Sequence, residues 1–290
     1  MASVRQWVAA ARPRTLPAAV APVLVGCGAG YALGEFSWWR GALALIVSLA
    51  LQVGVNYAND YSDGIRGTDT DRVGPFRMVG SGAARPRTVK AAAFAAFGVA
   101  GLAGFALAAV AGWWLLAVGA ACVLAAWFYT GGPRPYGYAG YGEIFVFVFF
   151  GLVAVLGTTY VQAGQVSLTA LAAGIGVGLL ACALLVANNL RDVHTDPAAG
   201  KRTLAVVLGE SSTRKVYAVL VLGAMLAVVI IGLRHPWCLL ALGSAVPAIR
   251  PVRTVLSGAR GRALIPVLGQ TGQVQVGYAV LLTAGLVLGS

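Results

Sequence analysis

Nine apolar stretches joined by short polar connections leave this chain few ways to fold. They are Leu16–Gly34, Gly41–Ala58, Val89–Ala111, Trp113–Thr130, Glu143–Gln162, Leu168–Asn188, Val216–Leu233, Trp237–Ile249 and Gly272–Leu288. In hydrocarbon every backbone N–H and C=O needs a partner within the protein, so such stretches cross as helices, and about 20 residues at 1.5 Å each cover about 30 Å. The expected fold is all-α: a polytopic membrane protein, one domain over residues 1–290, built as a nine-transmembrane-helix bundle. Pro247, Arg250 and Pro251 give the eighth stretch a ragged end. A chain that is 59% hydrophobic and 10% charged has more apolar sequence than a soluble core needs.

The net charge of +12 is placed by topology and points to no nucleic acid. Arg5, Arg12 and Arg14 precede the first stretch, and the connections after the second, fourth, sixth and eighth hold most of the remaining Lys and Arg. The other connections offer little beyond Arg40 and Arg234. By the positive-inside rule the N-terminus faces the cytoplasm of a bacterial cell, the plasma membrane holds the bundle, and an odd number of crossings leaves the C-terminus outside. Pro17 and Pro22 interrupt the first stretch, which argues against a cleaved signal peptide. VRQWVAAARPR before it reads as a short interfacial helix with Trp7 at headgroup level. Cys27, Cys122, Cys182 and Cys238 lie singly in or beside apolar stretches, which suits small core residues better than a disulfide or thiolate metal site.

Against that background the acidic residues are oddly gathered. The chain has nine, and six of them sit in NYANDYSDGIRGTDTD, Asn56 to Asp71, and in NNLRDVHTDPAAGKRTLAVVLG, which contains Asp192 and Asp196. Each cluster closes an apolar stretch, the second and the sixth. Asn56, Asp60 and Asp63 fall at i, i+4 and i+7, and Asn188, Asp192 and Asp196 at i, i+4 and i+8, so each trio lines one face of a helix end. Asp69 and Asp71 follow in a glycine-flanked loop. Asp60 and Asp192 are 132 residues apart, which suggests two pseudo-repeated four-helix halves plus a ninth helix.

Stacked carboxylates repel, and acids beside hydrocarbon cost about 2.5–3.5 kcal/mol each at mid-bilayer depth, so function is the default explanation. A hard divalent cation relieves the repulsion. Mg²⁺ takes carboxylate, amide and phosphate oxygens, so two such faces across a cavity could hold Mg²⁺ with a diphosphate between them. Lys201, Arg191, Arg66 and Arg72, all near the clusters, are candidate phosphate-binding cations. DTDRVG resembles the start of a calcium loop, but the position expected to be a bidentate Glu is Gly80. No P-loop, HExxH or GxSxG is present.

The two clusters together resemble the aspartate-rich motifs of the UbiA superfamily of intramembrane aromatic prenyltransferases. Asn188-x₃-Asp192-x₃-Asp196, followed by Gly200-Lys201-x-Thr203-Leu204-x₃-Leu208-Gly209, matches the second motif, and Asn59-Asp60-x-x-Asp63 the start of the first. The superfamily's next acid falls here on Gly67, and acids come instead at 69 and 71. That version, with ARPRTLP near the start and YTGGPRPYGYAGYGE at 129–143, is similar to the 1,4-dihydroxy-2-naphthoate polyprenyltransferases of menaquinone synthesis.

The resemblance implies Mg²⁺-dependent transfer of a polyprenyl chain from polyprenyl diphosphate to dihydroxynaphthoate, with loss of CO₂, giving a demethylmenaquinone. It implies metal ligation, direct or through water, by Asn56, Asn59, Asp60, Asp63, Asn188, Asp192 and Asp196, joined by either Asp69 or Asp71. Asp60, Asp63, Asp192 and Asp196 are the expected catalytic carboxylates. Lys201 and Arg191 would contact diphosphate, and Arg14, Tyr136, Tyr138 and Glu143 would serve the aromatic acceptor. Other readings are a different acceptor such as 4-hydroxybenzoate, or a divalent-cation or lipid-diphosphate transporter. Acids at helix ends on one side of the membrane, rather than at mid-span, favour the enzyme.

Overall fold

A computed structural model describes residues 2–67 and 76–290 of the chain; Asp69, Asp71 and Arg72 lie outside the described residues. Among the described residues there is no strand. A short helix α1 (Val4–Ala10) leads into α2 (Pro17–Tyr31), α3 (Trp38–Arg66), α4 (Pro86–Ala111) and α5 (Leu115–Phe128). One further span, Gly142–Ala163, consists of α6 (Gly142–Val146), a π-helical stretch Phe147–Val153 and α7 (Ala154–Ala163). After α8 (Leu168–Asp192) and α9 (Leu204–Gly232), a 3₁₀ run Pro236–Ser244 continues into α10 (Ala245–Leu256), and α11 (Ile265–Leu288) ends the chain.

Local sequence sets these limits. Ser3 and Gln6 form a reciprocal capping box on α1, and Ser167 accepts from the Ala170 N–H at the start of α8. Prolines open α2 and α4, where a missing N–H costs nothing. Gly67, at φ 71°, takes the left-handed conformation that ends α3 directly after the first acidic cluster.

Among the described residues, seven helical spans are long and apolar enough to cross a membrane, and two shorter apolar helices, α2 and α5, correspond to the first and fourth predicted stretches. Several limits differ from those expected. α9 begins at Leu204 rather than Val216, because the polar ESSTRK sequence continues the helix beyond a kink at Gly209. The eighth segment opens as a 3₁₀ helix and runs to Leu256 with Pro251 inside it, and α11 starts at Ile265 instead of Gly272.

α8 is the most enclosed span, with α2, α9, α11 and the π stretch packed around it. Lipid gives little hydrophobic incentive for helices to associate, so close backbone approach matters more, and small residues supply it. A Cβ on Gly151 would lie 2.6 Å from Gly178 Cα and 2.8 Å from Gly174 O, neither of which can swing aside. The outward faces carry large apolar side chains such as Leu102, Leu222 and Val246, as lipid contact requires. Gly151→Val is therefore expected to force α8 away from the π stretch at a cost of about 1–3 kcal/mol. A lower midpoint of thermal unfolding in detergent, by several degrees, is the measurement that checks it.

Candidate active site

The two acidic clusters meet. α3 and α8 bring their C-terminal ends to the polar end of one cavity of about 730 Å³. Asn56, Asn59 and Asp63 line it from α3, Asn188, Asn189, Arg191 and Asp192 from α8, and Asp196, Lys201 and Thr203 from the loop that follows. From there it runs down α3 past Gln52, Leu51, Val47 and Ala44. Ala44 to Asp63 is 19 residues, so the wall extends about 28 Å at 1.5 Å per residue. The deeper wall is apolar: Leu107 from α4, Leu115 and Val118 from α5, and Phe145, Phe149 and Val153 from the span opposite.

Asp63 is the junction between the halves of the site. Its Oδ2 lies 3.1 Å from Arg77 Nη2 and 3.2 Å from Lys201 Nζ, and its Oδ1 accepts from the Tyr138 hydroxyl. Lys201 Nζ also sits 4.8 Å from the Tyr138 ring centroid. The Arg202 N–H donates to Tyr138 C=O at 2.8 Å, so the 136–138 turn is fastened to the second cluster's loop. Across the cavity, Arg191 donates to both oxygens of Asp192, at 2.8 and 2.6 Å. Asp196 accepts from the Thr203 hydroxyl at 3.4 Å, and its backbone carbonyl from the Lys201 N–H at 2.8 Å.

The asparagines are held by other elements. Thr130 donates to Asn59 Oδ1 at 2.7 Å. Asn56 Nδ2 donates to Ala11 C=O at 2.9 Å and to Thr15 Oγ1 at 3.1 Å, which pins the segment between α1 and α2 over the cavity. Arg14, on that segment, is exposed and reaches the cavity wall.

Asp60 departs from expectation. Buried at 1% exposure, it accepts the Met78 N–H at 2.7 Å and the Val79 N–H at 3.0 Å and takes no part in the cavity wall. Arg66 is absent from the cavity wall as well: it is exposed, donates to the carbonyls of Thr130 and Gly132, and lies 5.3 Å from the Tyr138 ring centroid. Glu143 lies behind the wall, accepting from Asn189 Nδ2 at 2.9 Å, and so orients a lining residue without reaching the cavity itself. Tyr136 does line it, stacked on Phe145 at 3.8 Å, with its hydroxyl donating to Ala125 C=O at 2.8 Å. Burial pushes its phenol above the ordinary value of 10, with Tyr129 adding to the rise, so it stays protonated.

Arg77 is the residue that sequence reasoning missed. It reads there as one more topology-setting charge, whereas the structure buries it in the cavity wall against Asp63. No spacing rule marks it, because a loop folding back onto α3 presents it.

Among the described residues, no three acidic, His or Cys side chains converge closely enough to hold a metal by themselves. The donors at the polar end are carboxylate and amide oxygens, the set that hard Mg²⁺ accepts, and Mg²⁺ commonly uses one or two carboxylates and completes its shell with water and substrate phosphate. The site fits that use.

Residues 19–264 match the UbiA prenyltransferase family. The chain is 53% identical over 289 residues to the 1,4-dihydroxy-2-naphthoate octaprenyltransferase of Mycobacterium tuberculosis, covering 100% of this chain and 99% of that one. It is 35% identical over 275 residues to the enzyme of the same name from Escherichia coli, covering 91% and 89%. In fold it is similar to a UbiA homolog from Archaeoglobus fulgidus bound to GPP and Mg²⁺, with a TM-score of 0.69 and 14% identity over 96% of this chain and 99% of that one. An apo UbiA homolog from Aeropyrum pernix K1 gives 0.70 and 13% over 99% of each chain.

Asp63→Asn would leave Arg77 and Lys201 buried around an uncharged amide. Breaking a buried pair by removing one partner costs about 3–5 kcal/mol, so this substitution should lower stability by about 3 kcal/mol. Thermal unfolding in detergent, compared with the exposed control Arg66→Gln, checks it.

Proposed function

The chain belongs to the UbiA prenyltransferase family, and from that premise we propose that it transfers a polyprenyl chain from polyprenyl diphosphate to 1,4-dihydroxy-2-naphthoate, with loss of CO₂, giving a demethylmenaquinone. The observation that carries the reading is the continuity of the cavity, whose wall along α3 runs about 28 Å from an apolar end to the end where both acidic clusters and three buried cations meet. A long isoprenoid with a diphosphate head has that same division of polarity.

In this reading Lys201, Arg77 and Arg191 receive the diphosphate, and Asp63, Asp192 and Asp196, with the amide oxygens of the neighbouring asparagines, hold Mg²⁺. When bound there, Mg²⁺ supplies Lewis-acid stabilisation of the negative charge on the departing diphosphate. The apolar wall keeps water from the allylic cation as the C–O bond breaks, since water would otherwise capture it. Arg14 meets the acceptor's carboxylate, and Tyr136 and Phe145 offer an aromatic surface to its ring. The ring carbon bearing the carboxylate attacks the cation, and the new C–C bond forms as CO₂ leaves with its bonding pair returned to the ring. We place the site and the N-terminus in the cytoplasm of a bacterial cell and the C-terminus outside, with α2 and α5 crossing alongside the seven longer spans. The pairs α3·α4 and α8·α9, in each of which the first helix ends in an acidic cluster, support two related halves.

Purified protein incubated with Mg²⁺, an allylic diphosphate and a panel of aromatic acids should prenylate dihydroxynaphthoate with loss of CO₂ and leave 4-hydroxybenzoate unchanged, as read by mass. Product from hydroxybenzoate alone would overturn the acceptor assignment. Asp192→Asn should lower turnover at least about 10²-fold, roughly 2.7 kcal/mol of transition-state stabilisation, with a raised Mg²⁺ requirement and normal membrane insertion. A single cysteine at the exposed Ala198, in a background lacking the four native ones, should be shielded from an impermeant thiol reagent in intact cells. Labelling from outside would reverse the orientation.

A further inference from the structure

One acidic residue of the first cluster is fully engaged elsewhere. Asn56, Asn59 and Asp63 line the cavity, whereas both Asp60 oxygens are taken by the backbone N–H groups of Met78 and Val79, at 2.7 and 3.0 Å. Those are the two residues directly after Arg77. The rest of the loop is folded tightly on itself: the Ser81 N–H donates to Arg77 C=O at 3.2 Å, its hydroxyl donates to the same carbonyl, and the Ala84 N–H donates to Met78 C=O at 3.1 Å. The Met78 side chain, 0% exposed, is buried with Ala10 and Val89. A carboxylate that accepts a buried amide and a half-buried one could turn to a cation only by leaving both donors without partners, a costly state away from water.

We infer that Asp60 is a positioning residue, which clamps the 76–84 loop onto α3 so that Arg77 stands in the cavity wall as a binding group for the donor's diphosphate. This deepens the prenyl-transfer reading and rests on it. Arg77 is suited to the role by its surroundings. Its guanidinium is 3.1 Å from Asp63 Oδ2, and Lys201 contacts that same oxygen at 3.2 Å. An arriving phosphate can therefore draw Arg77 toward it while Lys201 still neutralises Asp63. A guanidinium offers several donors in a fixed plane to phosphate oxygens, and a backbone already fixed by Asp60 spares the ordering cost on binding.

Two measurements test this. The first is amide hydrogen exchange over residues 76–84 in metal-free protein in detergent, read by mass spectrometry. Asp60→Asn should speed exchange there by about tenfold or more, because the two N–H groups use different oxygens of Asp60 and an amide replaces one of those oxygens with a donor NH₂. The second is steady-state kinetics. Asp60→Asn and Arg77→Gln should each raise KM for the prenyl diphosphate about tenfold while acceptor KM stays within about twofold, and excess Mg²⁺ should restore neither. The double variant should be no worse than the worse single one, since the two residues act as a unit. Unchanged exchange in Asp60→Asn, with activity recovered by excess Mg²⁺, would make Asp60 a metal ligand and overturn the assignment. If Asp60→Asn fails to fold, Arg77→Gln decides alone: exchange over 76–84 should match the unsubstituted protein while donor KM rises, and an unchanged donor KM sinks the idea. The exchange measurement needs no turnover, so it stands or fails separately from the choice of acceptor.

Discussion

A buried carboxylate must be matched by a cation, by amide donors or by both, and the polar end of this protein is organised around meeting that requirement. Asp63 is matched by Arg77, Lys201 and the Tyr138 hydroxyl, Asp192 by the fork of Arg191, and Asp60 by two backbone amides. Asp192 is matched by its neighbour on α8, whereas Asp63 and Asp60 recruit other pieces of chain. Through Asp63 alone, the loop after α3, the turn before α6 and the loop after α8 become neighbours. The helices supply the platform, and charge matching brings the loops together over it.

The same requirement explains the contrast along the cavity. At one end the wall is built from ions that water would otherwise solvate, and a few turns along α3 it is built from Val47, Ala44, Leu107 and Leu115. Gln52, Thr15 and Asn56 form the boundary, joined by amide-to-hydroxyl hydrogen bonds of 2.8 and 3.1 Å. A ligand with one charged end and one greasy end has a single orientation that leaves neither part mismatched.

Much of this was legible in the sequence. The apolar stretches located the spans, because hydrocarbon permits so few alternatives, and the two acidic trios pointed to the ends of α3 and α8 that line one cavity, although Asp196 falls in the turn beyond α8 and not on its face. What escaped was whatever depends on a loop returning to a helix. Asp60 and Asp63 look alike in sequence, three residues apart on one helix end, yet the 76–84 loop takes the first and leaves the second facing the cavity. Arg77 could not be told from a topology-setting arginine, and Glu143 could not be seen to act through Asn189, since both roles come from packing between distant segments. Helix limits slipped where polar residues continue a helix past its apolar part, as at the start of α9.

The π-helical stretch Phe147–Val153 carries a consequence of its own. A π turn holds one residue more than an α turn, so side chains on its two sides are out of step by about 100° relative to an unbroken α-helix. Phe145 precedes the stretch and Ala154, Gly157 and Thr158 follow it, and all four line the same cavity. They share that face only because the wide turn absorbs the additional residue. Removing one residue from the stretch would let it relax to regular α geometry with Phe145 and Gly157 still on one face, because the wide turn already absorbs that residue. Regularising the stretch to α geometry without shortening it would instead turn one half of the lining away from the cavity by about 100°.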